Sequence, residues 1–326
     1  MKALVYDDVE KLVYRYMADP VPAAGQSLIR IEASGICGSD MHAYLGHDER
    51  RPAPVILGHE AAGTVEGGAL DGKRVTINPL TTCGLCKACK AGRDNLCPDR
   101  MIISMPPREG AFGELVVMAD RNLVEVPDGV PLAKAALAEP LACGWHAVRL
   151  GAEALDMPIP QARCVVIGGG AIGVGAALCL RAFGATDIHV IEPNAVRRAS
   201  LDAIEGFTAV APGAVTAADL VIDGVGYAAT RADATTITRP GGVIMHIGLG
   251  ESTGGLDIRR MTLQEISFVG TYTYTAQDFR DTAAAIFDGR LGALDWTEER
   301  PLSEGGQAFA DIRAGIVAAP KIILRP

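Results

Sequence analysis

Cys83, Cys86, Cys89 and Cys97 follow the pattern C-x2-C-x2-C-x7-C, four thiols within 15 residues of a loop that also carries Gly84, Lys87, Lys90, Gly92 and Arg93. Thiolates at this spacing can wrap tetrahedrally around one Zn2+ at about 2.3 Å each, and the charge of the metal keeps them deprotonated. The competing reading is a group of buried or disulfide-paired cysteines, which a polar loop and a reducing compartment both disfavour. Four protein ligands close the coordination sphere. Such a zinc holds structure and has no position for a substrate.

A second set is dispersed: Cys37 in GICGSDMH, and the adjacent His59 and Glu60 in LGHEAAG. A lone cysteine is most often a small core residue and a lone histidine a hydrogen-bonded one. Here Gly35 and Gly38 flank the cysteine and Gly58 precedes the histidine, so backbone can come close and neighbouring side chains can turn toward one centre. Thiolate, imidazole and carboxylate together suit Zn2+. Three ligands leave a fourth position for water or a substrate oxygen.

A third signal is Gly168-x-Gly170-x-x-Gly173, which includes Ile172, follows the apolar run CVVI and opens the helix-forming AALCLRAF. In a chain of 38 glycines the bare pattern is weak. Its place at a strand-to-helix turn, with Glu192 closing DIHVIE about twenty residues on, makes it a dinucleotide fingerprint. The glycines admit the pyrophosphate to the helix N-terminus, and Glu192 can accept hydrogen bonds from the adenosine ribose hydroxyls. A carboxylate there repels a 2′-phosphate, so NAD is expected rather than NADP. Arg197 and Arg198 are the cations that would reverse this preference; otherwise they read as solvated surface charges.

The elements that must position these groups fall into three textures. The first 130 residues contain short β-type runs (SLIRIEASGI, AAGTVEGG, KRVTINPL, AFGELVVMADRNLVEVP) separated by Gly and Pro. From Leu132 an Ala-rich helical stretch, LAKAALAEPLACGWHAVRLG, precedes the fingerprint, and two further strand-like runs, DLVIDGVG and GGVIMHIGL, imply βαβ units and a parallel sheet. Beyond Gly270, TAQDFRDTAAAIFDG reads as an amphipathic helix and KIILRP as a closing strand.

At 326 residues, 49% hydrophobic and 21% charged, the chain is long enough for about two domains and too apolar to stay disordered. Its net charge of -9 provides no cationic field for phosphate backbones, so no nucleic acid partner is expected. The longest uncharged apolar stretch, Cys164 to Leu180, is broken by glycines and falls short of the about 20 residues of a membrane span. The N-terminus MKALVYDDVEKLVYRY has early acidic residues and does not read as a signal peptide. The expectation is a cytoplasmic protein whose eight cysteines serve metal or core.

Together these residues resemble the zinc-containing medium-chain dehydrogenases, the superfamily of alcohol, sorbitol and threonine dehydrogenases, over nearly the whole chain from MKALVY to KIILRP. The resemblance implies an α/β protein: a GroES-like β-rich catalytic domain over residues 1–143, a Rossmann doubly wound parallel sheet over 144–271, and a return to the catalytic domain over 272–326. It makes Cys37, His59 and Glu60 the catalytic zinc set, joined by Glu139 of AEPLACGWH, which matches a glutamate near the metal in the polyol branch. Cys143 falls near a ligand position of the alcohol dehydrogenases and reads as core here. Ser39 and His42 match a proton relay to the surface, a need that alcohol oxidation imposes by itself, because a proton must leave with each hydride. Asp40 reads as a loop-holding residue, and His47, His146, His189 and His246 show no metal spacing.

The implied cofactors are two Zn2+ per chain and NAD, the implied partner is a small-molecule alcohol, and the implied assembly is a homodimer or homotetramer. Where polyol members often carry an arginine after the Rossmann domain, this chain reads Gly270-Thr271-Tyr272-Thr273-Tyr274. The expected reaction is oxidation of a secondary alcohol, a polyol or sugar derivative, to a ketone. An enzyme of the L-threonine 3-dehydrogenase type, or another alcohol dehydrogenase, is the alternative; the threonine type would need a cation for the substrate carboxylate. A non-catalytic nucleotide-binding sensor or structural protein is the alternative outside enzymes, and the joint presence of Cys37, Ser39, His42, His59 and Glu60 argues against it.

Overall fold

The computed structural model describes residues 1–326, which divide into two compact units. The first comprises Met1–Glu139, Thr275–Asp288 and Leu294–Pro326, and the second Pro140–Tyr274 and Gly289–Ala293. The chain passes from the first unit to the second inside one helix, Ala138–Ala154. The Ala-rich stretch before it is broken into a short helix, Leu132–Ala135, and this longer one.

The first unit is built on a seven-stranded sheet. Its spine, Gln26–Gly35, alternates buried and more exposed positions, as a strand with one face on the core must. Ile29, Ile31 and Ala33 go inward, where Ile29 and Ile31 pack with Val65, Val75, Ile77, Val116 and Met118. The spine pairs antiparallel with Glu60–Glu66 and with Leu115–Ala119, and near its end with the C-terminal strand Lys321–Arg325. Gly35 therefore lies across from Glu60 on one side and Ile323 on the other. A second core sits under the three-stranded sheet that opens the chain, where Phe112 and Phe309 meet edge to face at 6.0 Å.

The second unit holds a parallel sheet of six strands: Thr208–Val210, Asp187–Ile191, Arg163–Ile167, Ala218–Asp223, Thr238–His246 and Ser267–Gly270, in that spatial order. Numbered along the chain this is 3-2-1-4-5-6, the doubly wound order whose ligand crevice lies at the carboxyl ends of the first and fourth strands. The strands read as continuous apolar runs because helices cover both faces of such a sheet. His189 is half-buried in the second strand of the chain order, with its Nε2 2.8 Å from Asp187 Oδ1. No helix is long and apolar enough to cross a membrane.

Candidate active site and dinucleotide site

Helix Gly38–Tyr44 starts directly after the spine strand, and Cys37 is its N-cap residue. Asp40 Oδ2 accepts the Cys37 N–H at 3.0 Å, which fixes the turn that presents the thiol. The Asp40 carboxyl, fully buried, also accepts the Gly58 N–H at 3.3 Å and stands 3.4 Å from His59 Nδ1. Gly58 has φ +91, and a Cβ there would lie 2.5 Å from the Phe112 ring. This left-handed bend delivers His59 just before the strand Glu60–Glu66 begins. Adjacent residues can thus face one centre without obeying the alternation of a strand.

Cys37, His59 and Glu60 converge: one ligand atom from each lies within 4.8 Å of the others. Glu60 Oε2 is buried without a hydrogen-bond partner, while Oε1 accepts from Lys321 Nζ at 2.6 Å. Gly35 makes room for this carboxylate, because a Cβ there would sit 2.1 Å from Oε2. Burial alone would push the His59 imidazolium down, but Asp40 and Cys37 outweigh it and hold its pKa well above the usual value. Anionic groups that favour a proton on a buried imidazole also favour a metal cation in its place. The soft, neutral and hard donors of this set fit Zn2+ with a position to spare.

Ser39 and His42 occupy the same helix one turn apart, so both lie on one face. Ser39 Oγ is 3.5 Å from His59 Nε2, and His42 is exposed. Glu139 is buried in the first turn of helix Ala138–Ala154, outside the trio of converging ligand atoms, and its charge acts on Lys321. Cys143 lies half-buried one turn further along that helix.

The other cysteine set gathers as its spacing implies. The Sγ atoms of Cys83 and Cys89 are 3.9 Å apart and those of Cys83 and Cys97 are 3.5 Å apart. A tetrahedron of 2.3 Å bonds has edges of about 3.8 Å. Leu85 and Cys86 N–H groups donate to Cys83 Sγ at 3.4 and 3.3 Å and pull its thiol down to about 6. Burial pushes Cys89 up to about 11. Four thiols this close cannot all ionise without a cation among them, and Zn2+ fits them.

In the second unit, strand Arg163–Ile167 turns at Gly168, with φ +103, into helix Ala171–Ala182. A Cβ on Gly173 would fall 1.8 Å from the Gly168 carbonyl oxygen, so only glycine allows this packing; a Cβ on Gly170 would enter open space. Ile172 is half-buried in the first turn of the helix. Glu192, buried just past Asp187–Ile191, accepts the Gly169 N–H at 3.0 Å and the Asn194 N–H at 2.9 Å. Arg197 Nη1 is 3.4 Å from its Oε2. Arg198 is committed to the carbonyls of Glu192 and Pro193, at 2.7 Å each. This turn, with an amide-rich helix N-terminus and an acidic residue closing the next strand, fits a dinucleotide.

Sequence reading missed Lys321. It is fully buried and donates to the Ile36 carbonyl at 2.8 Å as well as to Glu60. Burial pushes its ammonium down, but Glu60, Cys37 and Glu139 outweigh this and hold it above the usual lysine value. The one signal available was a lysine heading an otherwise apolar closing strand.

Residues 23–128 match the family described as alcohol dehydrogenase GroES-like domain, and residues 171–288 match zinc-binding dehydrogenase. The chain is 29% identical over 311 residues to L-galactonate-5-dehydrogenase of Escherichia coli K12, covering 90% of this chain and 89% of that protein. It is 30% identical to sorbitol dehydrogenase of Bacillus subtilis 168, covering 84% of this chain and 82% of that protein. Among solved structures, one described as a short chain alcohol dehydrogenase from E. coli CFT073 complexed with NADH superposes with a TM-score of 0.90. It has 22% identity and covers 100% of this chain and 99% of that one, a likeness of fold.

Proposed function

The chain belongs to the zinc-containing medium-chain dehydrogenases, and on that premise we propose that it oxidises a secondary alcohol flanked by hydroxyls, a polyol or sugar derivative, to the ketone with NAD. The observation that carries this reading is the convergence of Cys37, His59 and Glu60 around one centre, with the unpartnered Glu60 oxygen facing it. A zinc ion on those three ligands supplies Lewis acidity toward an alcohol oxygen, and a nicotinamide supplies the hydride acceptor.

The protein's own groups do the rest. Ser39 Oγ takes the proton that the alcohol loses as it gives up its own hydroxyl proton, which travels by way of the cofactor ribose hydroxyls to His42, one turn away and exposed, and from there to solvent. Glu139 is the acceptor for a second hydroxyl next to the one oxidised, because Glu60 commits Oε1 to Lys321 and Oε2 to the metal centre. Gly168, Gly170 and Gly173 shape the turn for the pyrophosphate, while Ile172 packs beside it. Glu192 binds the ribose hydroxyls and Arg197 orients Glu192. Residues 1–143 and 272–326 serve the catalytic role in this reading and 144–271 the cofactor role. A reducing cytoplasm is part of this reading. A homodimer or homotetramer is part of the reading, and light scattering of the purified protein tests it.

The relatives named L-galactonate-5-dehydrogenase and sorbitol dehydrogenase support a hydroxyl-rich substrate. A site whose buried acceptors bond a neighbouring hydroxyl loses that bond with an analogue that lacks it. The test is kcat/KM over four- to six-carbon polyols, L-threonine and monohydric alcohols. A polyol should lead by about a hundredfold or more. A lead for L-threonine or a monohydric alcohol overturns the assignment.

A further inference from the structure

Lys321 and Glu60 are 261 positions apart in sequence, yet their ion pair is among the most buried in the molecule, with side chains 3% and 1% exposed. A buried pair whose only task is structural is expected to satisfy every polar atom, since each bare one costs free energy in a low-dielectric interior. This pair does not. Lys321 Nζ engages Glu60 Oε1 and the Ile36 carbonyl, while Glu60 Oε2 has no partner and belongs to the group formed with Cys37 and His59. Gly35, across the sheet from Glu60, supplies the space that Oε2 occupies.

We infer that Lys321 is a positioning residue for the metal centre: it holds one oxygen of Glu60 so that the carboxylate presents only the other, making Glu60 a one-oxygen ligand. The inference rests on the reading of Cys37, His59 and Glu60 as a zinc site. Sheet pairing gives it a rigid basis. Ile323 pairs with Gly35 and the Ile36 N–H donates to the Ile322 carbonyl at 3.0 Å, so the C-terminal strand that carries Lys321 is locked to the strand that leads into Cys37. Charge points the same way. Lys321 is the cation that faces Glu60 and Cys37, two of the side chains gathered at this centre, and Glu139. A group that orients a metal ligand in this manner typically governs affinity by about 10- to 100-fold.

The test uses Zn2+ alone, titrated into the zinc-stripped full-length protein against a chromophoric chelator. Wild type, K321M, K321Q and K321R are compared, with circular dichroism as the folding control. Wild type should bind two ions. K321M should weaken one of them by about 10- to 100-fold and leave the Cys83, Cys86, Cys89 and Cys97 ion unchanged. K321R, which keeps the cation, should recover most of the loss. K321Q retains a donor for the Ile36 carbonyl and carries the same comparison if K321M does not fold. A folded K321M or K321Q that binds both ions as tightly as wild type, or more tightly, removes the role of Lys321 and leaves the zinc site standing. A wild-type protein that binds one ion only removes the zinc site and the inference with it.

Discussion

Asp40 Oδ1 stands 3.4 Å from His59 Nδ1 while the other oxygen of the same carboxylate accepts the Cys37 N–H at 3.0 Å. One buried aspartate thereby indexes two converging side chains, the thiol through its backbone and the imidazole through its ring. Burial pushes this carboxyl up, and His59, Arg51 and the Cys37 amide more than offset it, so the group is held below the usual aspartate range. Carboxylates placed behind a ligating imidazole fix its tautomer and raise its basicity. D40N should therefore weaken zinc at the Cys37 site by about 10- to 100-fold and leave the four-cysteine site filled. Metal analysis after graded dialysis against chelator distinguishes the two sites, and equal loss from both would contradict the assignment.

The four-cysteine loop is expected to act on stability rather than on the chemical step. Cys97 is buried, and the loop also reaches the helix Ala276–Phe287, where the Ala276 N–H donates to Asp94 at 3.1 Å. Replacing Cys97 with serine removes one of four ligands and should release one zinc per chain. Because the binding free energy of a structural zinc is folding free energy, the urea midpoint should fall by an amount corresponding to several kcal/mol, roughly 3 or more. Unchanged midpoint and zinc content would show that the loop is held by its backbone alone.

Local chemistry was legible in the sequence where partners are close along the chain. Cys83, Cys86, Cys89 and Cys97 cluster within one loop, and Gly168, Gly170 and Gly173 share one turn, so spacing is nearly geometry. Cys37 and His59 were legible through the glycines beside them. Lys321 was not, because its partner is set by the pairing of Ile323 with Gly35, and a strand's neighbours are not encoded in its own pattern. Asp40 was legible as a residue that holds its loop, but its place behind His59 depends on the bend at Gly58. Thr273, a β-branched residue at φ 46 with a buried hydroxyl lacking a partner, carries a backbone conformation that no residue-type pattern signals.

Cofactor choice turns on Glu192. Its carboxylate is pinned by the Gly169 and Asn194 amides, so it cannot swing away from a bulky 2′-phosphate without losing both bonds. NAD should exceed NADP in kcat/KM for the wild type. E192A removes the repulsion and leaves Arg197, half-buried and without this anion, available to a phosphate. The ratio of the two kcat/KM values should drop by about tenfold or more, corresponding to about 1.4 kcal/mol. A wild type that prefers NADP would mean that Arg197 outweighs the carboxylate.

Asp48 and Arg51 connect acid stability to the active-site helix. The Arg51 guanidinium is buried and donates to Asp48 Oδ2 at 2.9 Å, to the Ser39 carbonyl at 3.0 Å and to the Ser104 carbonyl at 3.1 Å. Removing the Asp48 carboxylate leaves that cation hydrogen-bonded to carbonyls only, with the charge of Asp40 as partial compensation, so D48A should cost about 3 kcal/mol at neutral pH, the lower end for breaking a buried pair. Burial pushes the Asp48 carboxyl up, but its bonds to Arg50 and the charge of Arg51 prevail and lower it. A carboxyl lowered in the folded state stabilises fully above its unfolded pKa of about 3.9, and that contribution is lost as pH falls through the still lower folded value. Urea denaturation of wild type and D48A should therefore give a constant difference from about pH 7 to pH 5, narrowing below about pH 4. Because Arg51 also anchors the Ser39 carbonyl, D48A should lower kcat at neutral pH while the four-cysteine zinc is retained. A stability difference that widens on acidification would reverse the sign argued here and remove Asp48 from this network.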